Sequence, residues 1–397
     1  MRLTSEENEM LAGAKGRAVQ KAMQILAALG NIYGARRMIP VSSVQIAGVS
    51  YDNLGEAGLQ FLAEMANGGG RVCVPSTLNP AGMDIENWAA LGIQPEFAEK
   101  QMLVLEAFSR MGVTTTCTCT PYLIGNLPRY GDHLAWSESS AVCYANSIIG
   151  ARTNREGGPS ALAAALTGRT PEYGLHLEEN RLPIITIKVD AHLRDNSDFG
   201  ALGKVIGEKI AASKVIPYIQ GVKSACLENL KSFCASLATY GGAALFHMPG
   251  ITPQADQYVP PREHIIITQS DLEAAIGSLS DAAEAQVDFV SLGCPHLTID
   301  EIARIARLVE GRQVKKEFWI TTARPIKQIA DRLGYSRIIE AAGARFAADT
   351  CCVVAPIQGR FTALATDSAK ACYYAFAKNK FKTVFLPFDE VVRLALK

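Results

Sequence analysis

Apolar residues recur at helical spacing from about Met10 to Leu29, directly after Thr4-Ser5-Glu6-Glu7, which has the order of a capping box. One amphipathic helix is therefore predicted to open the chain. Beyond it the pattern alternates between short β-rich runs and helical runs. SSVQIAGVS reads as a strand ending in a Gly-Val-Ser turn, and GEAGLQFLAEMANGG as a helix stopped by glycine. RVCVPSTLN reads as a strand, EFAEKQMLVLEAFSRMG as a helix closed by Gly112, and VTTTCTCTPY as a β-rich segment entering a Pro-Tyr turn.

From Arg152 to Glu179 the chain is rich in Gly, Thr and Ala and lacks strand periodicity, after which LPIITIKVD reads as a strand. The stretch from Leu193 to Pro217, with its charged, loop-like entry RDNSD, reads as a change of lobe. VDFVSLG then leads to Cys294-Pro295-His296 and the helix TIDEIARIARLVEG, EFWITTA leads to the helix PIKQIADRLG, and RFAADT leads to Cys351-Cys352. This rhythm predicts an α/β fold of βαβ units with a parallel or mixed sheet. Two lobes are expected, 1–205 and 206–397.

Composition removes several function classes. The 397 residues carry 39 basic and 39 acidic side chains, so there is no electrostatic footprint for nucleic acid or an anionic membrane. The polar, acid-rich N-terminus does not read as a signal or transit peptide. The longest uncharged run, Ser232 to Ala255, is interrupted by Gly241-Gly242 and Pro249 and would make a poor membrane span. A cytoplasmic protein is expected.

Ten cysteines and no C-x-x-C make disulfides, zinc ribbons and thioredoxin-like sites poor readings. Cys73, Cys226, Cys234 and Cys372 are expected to be buried structural thiols. The others include three pairs of strand and loop: Cys117-Thr118-Cys119-Thr120, Gly293-Cys294-Pro295-His296, and Asp349-Thr350-Cys351-Cys352. One thiolate from each loop would suit an iron–sulfur cluster with a fourth, non-cysteine position, while buried free thiols remain the plainer reading of spacing alone.

A second constellation runs from Asp132-His133 through Ser137-Glu138-Ser139-Ser140 to Arg152 and Arg155 and the Gly157-Gly158-Pro159 turn. Its hydroxyls and arginines suit an anionic substrate, or else a solvated loop with capping serines. His133 and His296 read as hydrogen-bonded structural groups that stand beside these motifs, and Lys370 as a surface lysine or a phosphate partner.

At these motifs the chain resembles aconitase X, the divergent branch of the aconitase superfamily. The carriers are QIAGVSYDNLGEAGLQFL, TLNPAG, TCTPY, the long block GDHLAWSESSAVCYANSIIGARTNREGGPSALAAALTG, YGLHLEENR, GCPHLT and DTC with TDSAKACYY, which together span nearly the whole chain. The resemblance implies an aconitase-like, multi-lobed architecture around a central cluster cleft. It implies an iron–sulfur cluster, [4Fe-4S] or its [3Fe-4S] or [2Fe-2S] forms, on Cys119, Cys294 and Cys351. It implies substrate contacts at Gly48, Val49, Ser50, Asn79, Pro80, Ser139, Ser140 and Lys370. Cys117, Cys143 and Cys352 fall where no family ligand is expected. One branch of the family dehydrates cis-3-hydroxy-L-proline, and the other dehydrates (R)-5-phosphomevalonate to trans-anhydromevalonate 5-phosphate in a modified mevalonate pathway. The NREGGPSALAAAL wording resembles the phosphomevalonate branch. The swivelling domain, which usually carries the catalytic base, is absent from this sequence and is expected as a separate small subunit in a heterodimer or a dimer of heterodimers. A non-catalytic iron–sulfur scaffold or redox sensor is the reading from another class.

Overall fold

The computed structural model describes residues 1–211 and 215–397. Thr4 caps the opening helix as its sequence predicts, the Thr4 hydroxyl accepting from Glu7 N and the Glu7 carboxylate accepting from Thr4 N. That helix stops at Ala12, because Gly13 and Gly16 both adopt φ above 90°, and a second helix runs Arg17–Ile32. The single predicted helix is thus two, broken where only glycine is at ease.

Three all-parallel sheets follow, as βαβ rhythm dictates. The first pairs Ser76–Leu78, Ser43–Ile46 and Leu134–Trp136, in that order. The second pairs Pro217–Gln220, Ile185–Asp190 and His264–Thr268. The third has five strands: Arg345–Ala348, Glu317–Thr322, Phe289–Leu292, Ala363–Thr366 and Lys382–Phe385. A short antiparallel pair joins Met38–Pro40 to Arg169–Pro171.

Two strand readings are corrected. RVCVPSTLN contributes only Ser76–Leu78, and VTTTCTCTPY contributes a lone bridge, Thr77 to Thr114, before turning irregular. Threonine hydroxyls take over from the ladder there. Thr116 Oγ1 bonds both the N–H and the carbonyl of Leu78, while Cys117 adopts φ 44°. In the predicted change of lobe, Asn196–Ile210 is a helix capped by the Asp195 carboxylate, and it runs through position 205/206. Residues 212–214 of that stretch lie outside the described ones.

Three large apolar clusters fill the spaces between sheets and helices. They centre on Met23, Val44 and Phe108, on Trp136, Phe199 and Phe233, and on Ile305, Phe318 and Phe388. Cys234 and Cys372 are buried as expected, whereas Cys73 and Cys226 are exposed, Cys226 as the N-cap of the helix Leu227–Gly241. Among the described residues no helix is long and apolar enough to cross a membrane.

Candidate active site

The candidate residues come from the carboxyl ends of strands in two sheets. In the first sheet, Gly48–Ser50 follow Ser43–Ile46, Asn79–Pro80 follow Ser76–Leu78, and Ser139–Ser140 follow Leu134–Trp136. In the third, Cys294 follows Phe289–Leu292, Cys351 follows Arg345–Ala348, and Lys370 follows Ala363–Thr366. The third sheet's chain turns outward from its central strand in both directions, so the Cys294 loop leaves at a topological switch point, where open α/β sheets bind ligands. Gly293 makes that exit possible. It has φ 109°, and a Cβ there would lie 2.2 Å from the Thr321 carbonyl oxygen.

The two edges are bolted to each other. Ala81 N donates to the Asp349 carbonyl (2.8 Å), Ser50 Oγ donates to the Val354 carbonyl (3.1 Å), and Ala348 N donates to the Asp84 carboxylate (2.9 Å). Arg324 bridges Asp84 and Asp349 beneath them. Gln101, fully buried in the helix Pro95–Arg110, ties the two turns of the first sheet. Its carbonyl oxygen accepts from Tyr51 N and Gly82 N, and its amide donates to the Val49 carbonyl. The Val49 side chain packs in the core and its carbonyl is taken by Gln101. Gly48 sits at φ 77° with open space where a Cβ would point, and Pro80 is buried beside Asn79.

Glu138 is the hub that the sequence reading did not include among site residues. Its Oε2 accepts from Asn79 Nδ2 (2.8 Å), and its Oε1 accepts from Ser140 Oγ (3.1 Å), Ser139 Oγ (3.5 Å) and the Lys370 ammonium. Burial alone would raise the carboxyl's pKa. The charge of Lys370 and the hydrogen bonds from Lys370, Asn79 and Ser140 outweigh it and hold the group at about 2. Lys370 is likewise opposed by burial, but Glu138 and the nearby sulfurs raise it above the ordinary lysine range. A buried ion pair of this kind is intolerant of losing either partner.

Cys119, Cys294 and Cys351 all have Lys370 among the charges acting on them, and each thiol is pushed upward chiefly by burial. Cys119, pushed up to about 12, also feels Glu138 and Cys351. The three are thus drawn into one field, with Cys294 the most exposed at the wall. Cys352 turns into an apolar cluster with Phe289, Trp319 and Phe381, Cys117 is fully buried and pushed upward chiefly by that burial and then by Asp349, and Cys143 pairs with Cys234. His296 ties the three cysteine loops: its N–H points at Cys119 Sγ (3.3 Å), Nδ1 meets Thr118 Oγ1 (3.0 Å) and Nε2 meets the Thr350 carbonyl (3.0 Å). Burial holds its pKa down to about 4, so it is neutral and structural, as read from the sequence.

This donor set fits an iron–sulfur cluster. Three thiols from separate loops, two buried and one part-buried, stand within one another's electrostatic reach, a backbone N–H already points at one sulfur, and a lysine stands by to balance thiolate charge. Among the described residues no three His, Cys, Asp or Glu side chains close around a single ion. A cluster does not need that convergence, because each thiolate binds a different iron.

The arginines of the second constellation do not join the site. Arg152 pairs with Glu178 and donates to the His176 carbonyl, and Arg155 is exposed. His133 lies 3.0 Å from His176, Nδ1 to Nδ1, in a separate polar cluster. A cavity of about 680 Å³ at the carboxyl ends of the second sheet, lined by His192, Lys223 and Gln269 among others, touches none of the candidate residues.

Two facing strand edges of this kind, with Cys294, Cys351 and Lys370 on one and Asn79, Ser139, Ser140 and the Cys119 segment beside the other, are the plan of an aconitase-like enzyme. The chain belongs to the aconitase X family: profiles of the aconitase X first, second and third domains match residues 1–179, 183–277 and 287–397. It is similar to the crystal structure of Thermococcus kodakaraensis aconitase X in its holo-form, with a TM-score of 0.93 and 44% identity over the whole of both chains. It is 46% identical to the phosphomevalonate dehydratase large subunit of Methanothermobacter thermautotrophicus, over 94% of this chain and 93% of that one. It is 34% identical to the cis-3-hydroxy-L-proline dehydratase of Hypocrea jecorina, covering 94% of this chain but 65% of that longer protein. Its enzymatic class is that of the dehydratases, the hydro-lyases, and aconitase-like enzymes imply an iron–sulfur cofactor.

Proposed function

We propose that the chain is the large subunit of a hydro-lyase that dehydrates (R)-5-phosphomevalonate to trans-anhydromevalonate 5-phosphate, in a modified mevalonate pathway. The observation that carries the reading is the match in length together with identity. Four phosphomevalonate dehydratase large subunits match at 43–46% and a fifth at 35%, each over 92–100% of its own length, whereas the hydroxyproline enzymes match at 34% over only 65–66% of theirs. Cys119, Cys294 and Cys351 would hold the cluster. Bound there, it would supply a Lewis acid toward the departing hydroxyl.

This chain's own residues bind and orient. Lys370, whose ammonium keeps hydrogens beyond the one given to Glu138, offers donors to the anionic ends of the substrate, and the Gly48–Ser50 turn offers backbone amides, while the Ser139 and Ser140 hydroxyls are held on Glu138. In the reaction a C2 proton leaves to a base while the C3–O bond breaks toward oxygen, giving an alkene and water. Within the buried ion pair of the cradle, Glu138 is too acidic and Lys370 too basic to take that proton at neutral pH. A base on a small subunit fits this division, and the relatives are themselves named as large subunits. A reducing, cytoplasmic location fits ten cysteines that are all free.

The test is an anaerobic assay of the chain with its small-subunit partner, offering phosphomevalonate and cis-3-hydroxy-L-proline side by side. Turnover of phosphomevalonate is expected, with the isolated chain slower by about 10²–10⁴-fold for want of the base. Turnover of the amino acid alone would sink the substrate assignment, and full activity without the partner would sink the division of labour.

A further inference from the structure

We propose that Glu138 is a positioning residue: it fixes the Asn79 amide and the Lys370 ammonium so that Asn79 Oδ1 is presented as the acceptor for a substrate hydroxyl. The inference rests on the reading of this cleft as the substrate site, and it assigns a role to a residue outside the expected contact set.

The argument begins with what Glu138 can offer. Ion-paired to Lys370 and held at about 2, its carboxyl is ionised and can only accept hydrogen bonds. The Asn79 atom 2.8 Å from Glu138 Oε2 must therefore be the NH₂ group, which settles an amide orientation that geometry alone would leave open. The other end of that amide, Oδ1, is buried and has no hydrogen-bond partner among the described residues. Asn79 as a whole is only 8% exposed. A buried carbonyl without a donor is costly, so its natural complement is a group that brings an O–H or N–H. Carboxylate and phosphate groups carry no such hydrogen when ionised. The hydroxyl at C3 does.

The other carboxylate oxygen fixes the rest of the cradle. Glu138 Oε1 takes Lys370, Ser140 Oγ and Ser139 Oγ, so four of the expected substrate contacts hang from one side chain. Glu138 is itself anchored, because its N–H donates to Gln45 Oε1 (3.4 Å) and it caps the helix Ser139–Tyr144. A glutamine in its place keeps the volume but removes the charge that holds Lys370. Its NH₂ could also satisfy Asn79 Oδ1 and so turn the amide round.

The experiment uses the two-subunit holoenzyme and whichever substrate the wild type turns over, comparing Glu138→Gln, Asn79→Ala and the double variant. Each single change is expected to lower kcat/KM at least ~10-fold while iron content and visible cluster absorption stay at wild-type levels. If Glu138 acts through Asn79, the double variant should be within about threefold of the worse single, because residues acting as one unit are not additive. Wild-type kinetics in E138Q, losses that multiply in the double variant, or iron lost from E138Q would each overturn the proposal. If E138Q does not fold, Glu138→Asp replaces it. The shorter carboxylate cannot span Asn79 and Lys370, so E138D should lose activity and keep its cluster, and wild-type kinetics there would overturn the proposal equally. A wild type that prefers cis-3-hydroxy-L-proline would refute the substrate assignment alone, since both molecules carry the hydroxyl.

Discussion

Cys351 and Cys352 are neighbours in sequence and strangers in environment. Cys351 feels Lys370 and Glu138, whereas Cys352 is enclosed by Phe289, Trp319 and Phe381. A thiol becomes a ligand where its thiolate can be balanced and reached, and the aromatic cluster around Cys352, with burial pushing the thiol up to about 12, makes that thiolate costly. Cys119→Ser, Cys294→Ser and Cys351→Ser are therefore expected to bleach the anaerobically prepared protein and lose its iron, while Cys117→Ser and Cys352→Ser keep most of both. Iron analysis beside the visible spectrum decides it, and a bleached Cys352→Ser with a coloured Cys351→Ser would shift the third ligand by one. The motifs around these cysteines were legible in the sequence because their residue types are unusual at strand ends. Glu138 was not, since a glutamate flanked by serines reads as an ordinary helix cap until Asn79 and Lys370 are seen to converge on it. Gln101 left no local signal either, being one polar residue on an otherwise amphipathic helix. The arginines of the second constellation were conspicuous in sequence, yet Arg152 is spent on Glu178.

Helix Asn196–Ile210 packs against Leu227–Gly241 with glycines at the closest approach, beside a shared cluster that includes Phe199, Leu202, Phe233 and Leu237. A Cβ on Gly207 would lie 2.8 Å from Gly241 N, and one on Gly203 would lie 2.8 Å from the Phe233 carbonyl oxygen. Backbone atoms cannot step aside as a lysine tip can, so the helices must separate. Gly207→Ala should cost about 2 kcal/mol or more, although alanine is the better helix former by about 1 kcal/mol. Gly277, in the helix Gln269–Ser278, has open space where a methyl group would point, and Gly277→Ala should stabilise by about 0.5–1 kcal/mol. Urea midpoints of the two variants should move in opposite directions, and a shared direction would refute the close-approach argument. The same glycines explain why NSDFGALGKVIGEKI read as a change of lobe. Its intrinsic helix propensity is poor, and the helix exists because its small face lets a neighbour come close, a tertiary fact that periodicity does not carry. The βαβ elements around the third sheet were legible because their strands are short, buried and rich in aromatic and β-branched residues and their helices strongly two-faced.

At the scale of the whole molecule, a buried polar network lies where the first and second sheets' cores meet. Arg181, fully buried, donates to Gln254 Oε1, to Asn146 Oδ1 and to the carbonyls of Asn146 and Leu175, while His247 Nε2 meets the Arg181 carbonyl at 2.8 Å. His176 lies beside it against His133. Burial, with the positive charges of His133, Arg181 and Arg152, pushes His176 down to about 3, and burial pushes His247 down to about 4. Both histidines titrate near 6.5 once unfolded. Between those values and 6.5 the unfolded chain binds protons that the folded chain refuses, so stability rises with pH across this window and levels off above 6.5. Lowering the pH from 7 to 4.5 should thus cost about 2–3 kcal/mol for each of these histidines, beyond what surface carboxylates contribute. Urea unfolding of wild type and His176→Gln at pH 7 and at pH 4.5 separates the two. The variant loses one titrating group, so its stability difference between the two pH values should shrink by about 2 kcal/mol. An unchanged difference would mean that His176 takes up its proton in the folded protein, and that the junction tolerates a second charge beside Arg181.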